Sequence, residues 1–207
     1  MYYCAYCQDK FCYAGELEKV TENCPCKEKA LIEEVKTLYS DCENHLLAHN
    51  SALVESEGYC QKTRLEEIIL FANKCQYKKL GVAFCVGLSK EAKIFCQILK
   101  NHGFDFVSVI CKNAAIPKEF IGISENEKVR PNTKEAICNP IMQAKLLNKA
   151  QTDLNILLGL CVGHDSLFIK YSEAPITVFA VKDRVLAHNP LGAIYLSDSY
   201  YRKKLAK

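Results

Sequence analysis

No stretch of the sequence is apolar for long enough to cross a bilayer. The longest uninterrupted run, Ile156 to Gly163, falls far short of the roughly 20 residues such a span needs, so no membrane segment or membrane partner is expected. The N-terminus has no basic region followed by an apolar one, so nothing reads as a cleaved signal, and a cytoplasmic protein is expected. Charge of one sign is also missing: 27 Lys and Arg against 24 Asp and Glu leave a formal +3. The one basic cluster, Arg202, Lys203 and Lys204, reads as a solvated tail, and no nucleic-acid partner is expected. There is no Gly-x-Gly-x-x-Gly and no Walker loop, which argues against the familiar nicotinamide and nucleoside triphosphate sites. No Gly-x-Ser-x-Gly elbow surrounds Ser166, which disfavours a serine hydrolase. Repeats and low-complexity segments are absent, and the lack of tryptophan says nothing about function.

What the chain has in excess is cysteine, 13 in 207 residues, and that count is odd. In a reducing compartment such a number is better explained by metal ligands and buried thiols than by disulfides. Five of them fall in the first 26 residues, MYYCAYCQDKFCYAGELEKVTENCPC. Cys4, Cys7, Cys12 and Cys24 give the spacing C-x2-C-x4-C-x11-C, with Pro25 after the last and Cys26 beyond it. Two cysteines separated by two residues sit on a tight knuckle that aims both sulfurs at one ion or cluster, and a distant pair closes the site. Either zinc or an iron-sulfur cluster satisfies this pattern, and either Cys24 or Cys26 can supply the fourth sulfur.

The rest of the chain is long enough to bury a sizeable core. Residues 1–27 read as a cysteine-rich metal-binding knuckle, 28–61 as a helical linker and 62–207 as an α/β domain. Apolar residues from Leu31 to Leu47 recur at helical spacing and predict one amphipathic helix over 28–47; TRLEEIILFANKC predicts another over 63–75. Strands are expected at 80–88, 106–112, 154–163 and 175–182, with helices over 90–103, from Pro140 to about Ala150, and over 164–172. The alternation implies a doubly wound, mainly parallel sheet in three layers. Residues 113–135 form an irregular connection, long enough to suggest function.

In an open parallel sheet, ligands bind beyond the carboxyl ends of the strands. Cys85, Cys111 and Cys161 fall at such ends and Cys138 opens the helix before the third strand, so these four are the candidate cofactor-binding thiols of a second site. His164, Asp165 and Lys182 lie beside them and are the candidate catalytic groups; Lys112, Asp183 and Arg184 accompany them. Cys42, Cys60, Cys75 and Cys96 are expected to be small buried hydrophobes, and His45, His49, His102 and His188 to be structural.

The knuckle resembles the four-cysteine [4Fe-4S] domain of the corrinoid iron-sulfur protein large subunit and of a subunit of ion-pumping ferredoxin oxidoreductases. That resemblance implies a [4Fe-4S] cluster on Cys4, Cys7, Cys12 and Cys24, with Pro25 in the Cys-Pro place; the final gap is shorter here than is usual there. Through TRLEEIILFA, GVAFCVGLSKEA, CNPIMQAKLLN and TDLNILLGLCVGHDSLFIKYSEAP the chain also resembles an uncharacterised prokaryotic metal-binding family common in anaerobes, known only as a domain of unknown function. Three functions follow as expectations. The first is an iron-sulfur redox protein of anaerobic metabolism with a second thiol-lined site, working with a redox partner protein or a small-molecule ligand. The second is a zinc-stapled binding module without redox activity, and the third an enzyme using His164, Asp165 and Lys182 as acid and base groups.

Overall fold

Four short apolar segments pair in parallel to form the centre of the larger of two compact units. The computed structural model describes residues 1–205, and its chain divides into Met1–Glu57 and Gly58–Lys207.

In the first unit, single turns at Cys4–Tyr6, Phe11–Ala14, Leu17–Lys19 and Pro25–Lys27 precede two helices, α1 (Lys29–Tyr39) and α2 (Cys42–Gly58). The single helix expected over 28–47 is thus two. The break falls at Ser40 and Asp41, where the Asp41 carboxylate accepts the N–H groups of Glu43 and Asn44 and so restarts the helix as a cap does. Asn50 to Glu57, unassigned from sequence, continue α2. Burial is scant: no residue of α1 is buried, Leu31, Val35, Leu38 and Tyr39 are exposed, and among the described residues 1–57 only Val20, Asn50 and Val54 are buried. Cys42 and Cys60, expected to be buried, are exposed because they sit in the turns at the ends of α2, Cys60 at a φ of 54°. Cys75 and Cys96 are buried as expected.

The second unit begins with α3 (Arg64–Lys74), whose start is fixed by Thr63. Its hydroxyl accepts the Glu66 N–H while Glu66 returns a bond to the Thr63 backbone. Then follow β1 (Lys79–Phe84), α4 (Ser89–Asn101), β2 (Asp105–Ile110), α5 (Pro140–Lys149), β3 (Leu154–Leu160), α6 (His164–Tyr171) and β4 (Ile176–Val181). The sheet is wholly parallel in the order β2-β1-β3-β4. It separates two cores. Leu80, Val82, Leu154, Ile156 and Leu158 pack against α3 and α4 on one face, through Ile68, Ile69, Ala72, Phe95 and Leu99. Ala83, Val109, Leu157 and Leu160 pack against Ala144 and Leu147 of α5 and Phe168 of α6 on the other. Helices on both faces give the three layers that alternating apolar runs imply.

Strict alternation would place Leu160 with Leu158. Gly159, at a φ of +72°, inserts a register irregularity there and sends Leu160 to the opposite core. A Cβ at this position would stand 2.1 Å from Leu88 Cδ1, so the glycine also makes room for Leu88.

The connection from β2 to β3 runs through short turns and a bridge between Pro117 and Ala136. Lys128, 7% exposed, anchors it, donating to Glu119 at 2.6 Å, Glu125 at 2.7 Å and the Thr133 carbonyl at 3.0 Å. Its ammonium holds both glutamates below the usual carboxylate range.

Candidate functional sites

The N-terminal knuckle is built from consecutive tight turns. Cys7 N–H bonds back to the Cys4 carbonyl at 3.1 Å, closing the C-x2-C turn, and left-handed residues at Lys10 and Gly15 bracket the turn that carries Cys12. Cys24 N–H bonds to the Thr21 carbonyl at 3.0 Å, and Pro25 then starts the turn that brings in Cys26. All five cysteines border one cavity of about 480 Å³, walled elsewhere by Tyr3, Tyr6, Phe11, Val20 and Pro25. Cys26, the alternative to Cys24 as fourth sulfur, borders this same cavity and interacts with Cys24 and Cys12, which pushes its thiol above the ordinary range. Among the described residues, no three histidine, cysteine or carboxylate side chains are gathered as one metal ion would need. Cysteine sulfurs are soft donors, suited to zinc or an iron-sulfur cluster rather than to a hard cation.

The second site lies where the carboxyl ends of the strands meet. The residue directly after each strand is Cys85, Cys111, Cys161 and Lys182, for β1, β2, β3 and β4 in turn. Helix α4 leaves β1 on one face and α5 returns to β3 on the other, so the crevice between β1 and β3 is the point where the winding reverses, the favoured place for a ligand in such sheets. Cys111 N–H extends the ladder to the Phe84 carbonyl, setting Cys111 beside Cys85. Asn139 N–H donates to the Cys111 carbonyl at 2.7 Å and sets Cys138 on its other side. Asn139 also caps α5 through the Met142 N–H, so one residue both starts the helix and places the thiol before it.

The result is a row of interacting side chains: Lys182, Cys85, Cys111, Cys138 and His164. Cys85 and Cys111 are buried and Cys138 is half-buried. The Cys111 sulfur accepts the Val86 N–H at 3.3 Å. Cys111 gives its hydrogen bond to its neighbours, and Lys182 with the Gly87 backbone adds to it at Cys85, holding that thiol down to about 5. Cys111 and then His164 bring Cys138 down to about 4, with Lys112 adding to the effect. Between two such neighbours the Cys111 thiol is pushed far up and stays protonated, while the Cys138 thiolate raises His164. A thiol has one proton to donate. Cys111 therefore stabilises one neighbour at a time, and Lys182 or His164 must carry the other.

Cys161 stands one step apart, accepting a hydrogen bond from Arg184 at 3.3 Å, although Arg184 also feels the charges of Cys85 and Cys138. The Asp165 carboxylate accepts the N–H of Ser166 at 2.8 Å, and its charge adds to the rise of His164. Asp183 turns to its own loop, accepting from Val185 and Leu186, and His188 accepts from the Asp183 N–H. Gln143, which sequence reasoning missed, is fully buried and donates to the Phe84 and Val109 carbonyls, tying β1 to β2 directly below the thiols.

A lowered thiol is ionised at any pH above its own range, so Cys138 alkylation is expected to stay nearly constant from about pH 8 to about pH 5 and to fall only below that. Peptide-resolved iodoacetamide labelling checks this. A tenfold fall per unit from pH 8 downward is the behaviour of an ordinary thiol and would contradict it.

Fold and site define a class: a parallel α/β protein with a thiol row at the switch point of its sheet and a separate cysteine-rich N-terminal unit. The chain belongs to the family described as "Protein of unknown function (DUF1847)", whose model matches residues 24–179. It is 48% identical over 202 residues to "Uncharacterized protein MJ0455" of Methanocaldococcus jannaschii, covering 98% of this chain and 97% of that protein. No solved structure matches it significantly. Among the described residues, no helix is long and apolar enough to cross a membrane.

Proposed function

We propose that the chain is an iron-sulfur redox protein of anaerobic metabolism, with a cluster at the N-terminal knuckle and a thiol-lined working site at the edge of the sheet. One observation carries this reading: five thiols from separate tight turns border a single cavity. Cys4, Cys7, Cys12 and Cys24 would hold the cluster, and a bound cluster would supply one-electron transfer at low potential. Cys4, Cys7 and Cys12 are exposed, and access of water to the sulfurs is one of the levers that set such a potential. A redox partner protein or a small-molecule ligand would be the counterpart.

A zinc-stapled binding module is the second reading, favoured by the interaction of Cys26 with Cys24 and with Cys12, because four cysteine sulfurs from tight turns suit a structural zinc. Anaerobic purification followed by iron, sulfide and zinc analysis separates the two. The expected result is a brown protein with about four irons and four sulfides per chain, lost in a Cys7→Ser variant. A colourless protein with one tightly held zinc would overturn the redox reading. Comparing Cys24→Ser with Cys26→Ser identifies the sulfur that closes the site.

A further inference from the structure

We infer that Cys138, Cys111 and Cys85 form a thiol-disulfide exchange relay for a low-molecular-weight disulfide, in which Cys138 attacks, Cys111 resolves and Cys85 takes the resolving proton. This deepens the sheet-edge half of the reading above and requires nothing of the N-terminal metal.

The backbone sets the geometry. Cys85 and Cys111 extend two neighbouring parallel strands beyond the pair Phe84 and Ile110. Such strands lie about 4.8 Å apart, inside the range of Cα separations a disulfide accepts. The bond from Asn139 N–H to the Cys111 carbonyl brings the chain carrying Cys138 equally near. Accessibility sets the order: Cys138 is half-buried and can be reached, whereas Cys111 and Cys85 are buried behind it. A recessed nucleophile of this kind admits a small disulfide far more readily than one held in a folded protein. Charge supports the same order, since His164 faces Cys138 and Lys182 faces Cys85, a cation at each end of the row. Lys182 reaches in close to the backbone here: a Cβ on Gly87 would stand 3.7 Å, and one on Gly159 3.6 Å, from its ammonium.

The chemistry balances. The Cys138 thiolate attacks one sulfur of R–S–S–R; the S–S bond breaks, a Cys138–S–S–R bond forms, and the departing thiolate takes the proton of the His164 imidazolium. Cys111 then passes its proton to the Cys85 thiolate and attacks the Cys138 sulfur. The second thiolate leaves and takes a proton from solvent. Two electrons have moved from the protein to the disulfide, giving two thiols and a Cys111–Cys138 bond. Substituted thiols in this arrangement should stop the sequence at identifiable points.

The test uses the full chain, purified anaerobically with its metal, and oxidised glutathione as the probe, read by peptide mass spectrometry. The wild type should yield a Cys111–Cys138 disulfide and two glutathione thiols per disulfide consumed. Cys111→Ser should accumulate glutathione on Cys138, and Cys138→Ser should lower the rate of exchange in this row by about 100-fold or more. The exposed Cys42→Ser serves as a control for handling. Absence of the Cys138 adduct in Cys111→Ser, or an unchanged rate in Cys138→Ser, overturns the relay. In the folded wild type, glutathione appearing first on any cysteine of this row other than Cys138 overturns it as well. Iron and sulfide are measured on the same samples: exchange lost with the cluster present refutes the relay alone, and exchange intact without a cluster refutes the iron-sulfur reading alone.

Discussion

Stripping the proposed metal from the purified protein is expected to unfold residues 1–27 while the sheet stays folded. The N-terminal unit contains very little that could hold it together otherwise. Val20 is its only buried residue before α1, and the four turns are closed only by a few local backbone bonds each. Isolated turns of this kind are marginal in water, and a site whose ligands are brought together only in the folded state makes binding energy into folding energy. The larger unit differs in kind, with two apolar cores on either side of a four-stranded ladder. After chelation and removal of the metal, amide exchange in residues 1–27 should quicken by about 100-fold or more, with the strands still protected. Unchanged protection of the N-terminal turns would show that they fold without an inorganic partner, and the proposal would lose its basis there.

The second large effect is expected of Gly81→Ala in β1. A Cβ at this position would lie 2.0 Å from the Asn155 side-chain oxygen and 2.8 Å from Leu147 Cδ1. Neither neighbour can step aside cheaply. Asn155 is fully buried in β3, its oxygen accepting from Thr152 at 2.8 Å and its amide donating to Ser172 at 2.8 Å. Leu147 is fully buried in the core beneath α5. The methyl group therefore both overpacks the core and disrupts a buried polar chain, and the two costs together are about 2–4 kcal/mol. For a chain of this size that corresponds to a fall in Tm of roughly 5–15 °C, read by circular dichroism. A fall of less than a degree or two would mean that β1 and β3 can separate without penalty, contrary to the packing described.

These two units were unequally legible in the sequence. The sheet could be read because each strand is a short apolar run bounded by turn residues, and because parallel strands buried on both faces need no alternation. The same feature hid the inversion at Gly159: in LNILLGL every residue is compatible with either core, so only the backbone angle reveals where the faces exchange. The break between α1 and α2 was illegible because apolar spacing continues across Ser40 and Asp41, and the capping carboxylate outweighs it. At the sheet edge, Cys85, Cys111 and Cys161 could be placed since each lies at or close to the end of its apolar run, although the strands stop at Phe84, Ile110 and Leu160, short of the expected ends. That Cys111 lies between Cys85 and Cys138 could not, because it depends on β2 lying next to β1 and on a connection of more than twenty residues folding back. Gln143 was missed because one amide inside an amphipathic helix carries no sign of the two carbonyls it will meet.

The connection anchored by Lys128 has a consequence for the row of sulfurs. The stretch that delivers Cys138 is fastened twice: beside the sulfur by backbone bonds from Ile137 to Ile116 and from Lys118 to Glu135, and further out by one ammonium and the acidic side chains gripping it. The proposed nucleophile thus hangs from a small scaffold whose outer tie is a single amine, and capping that amine with an uncharged group is expected to loosen the outer loop while the bonds beside the sulfur persist.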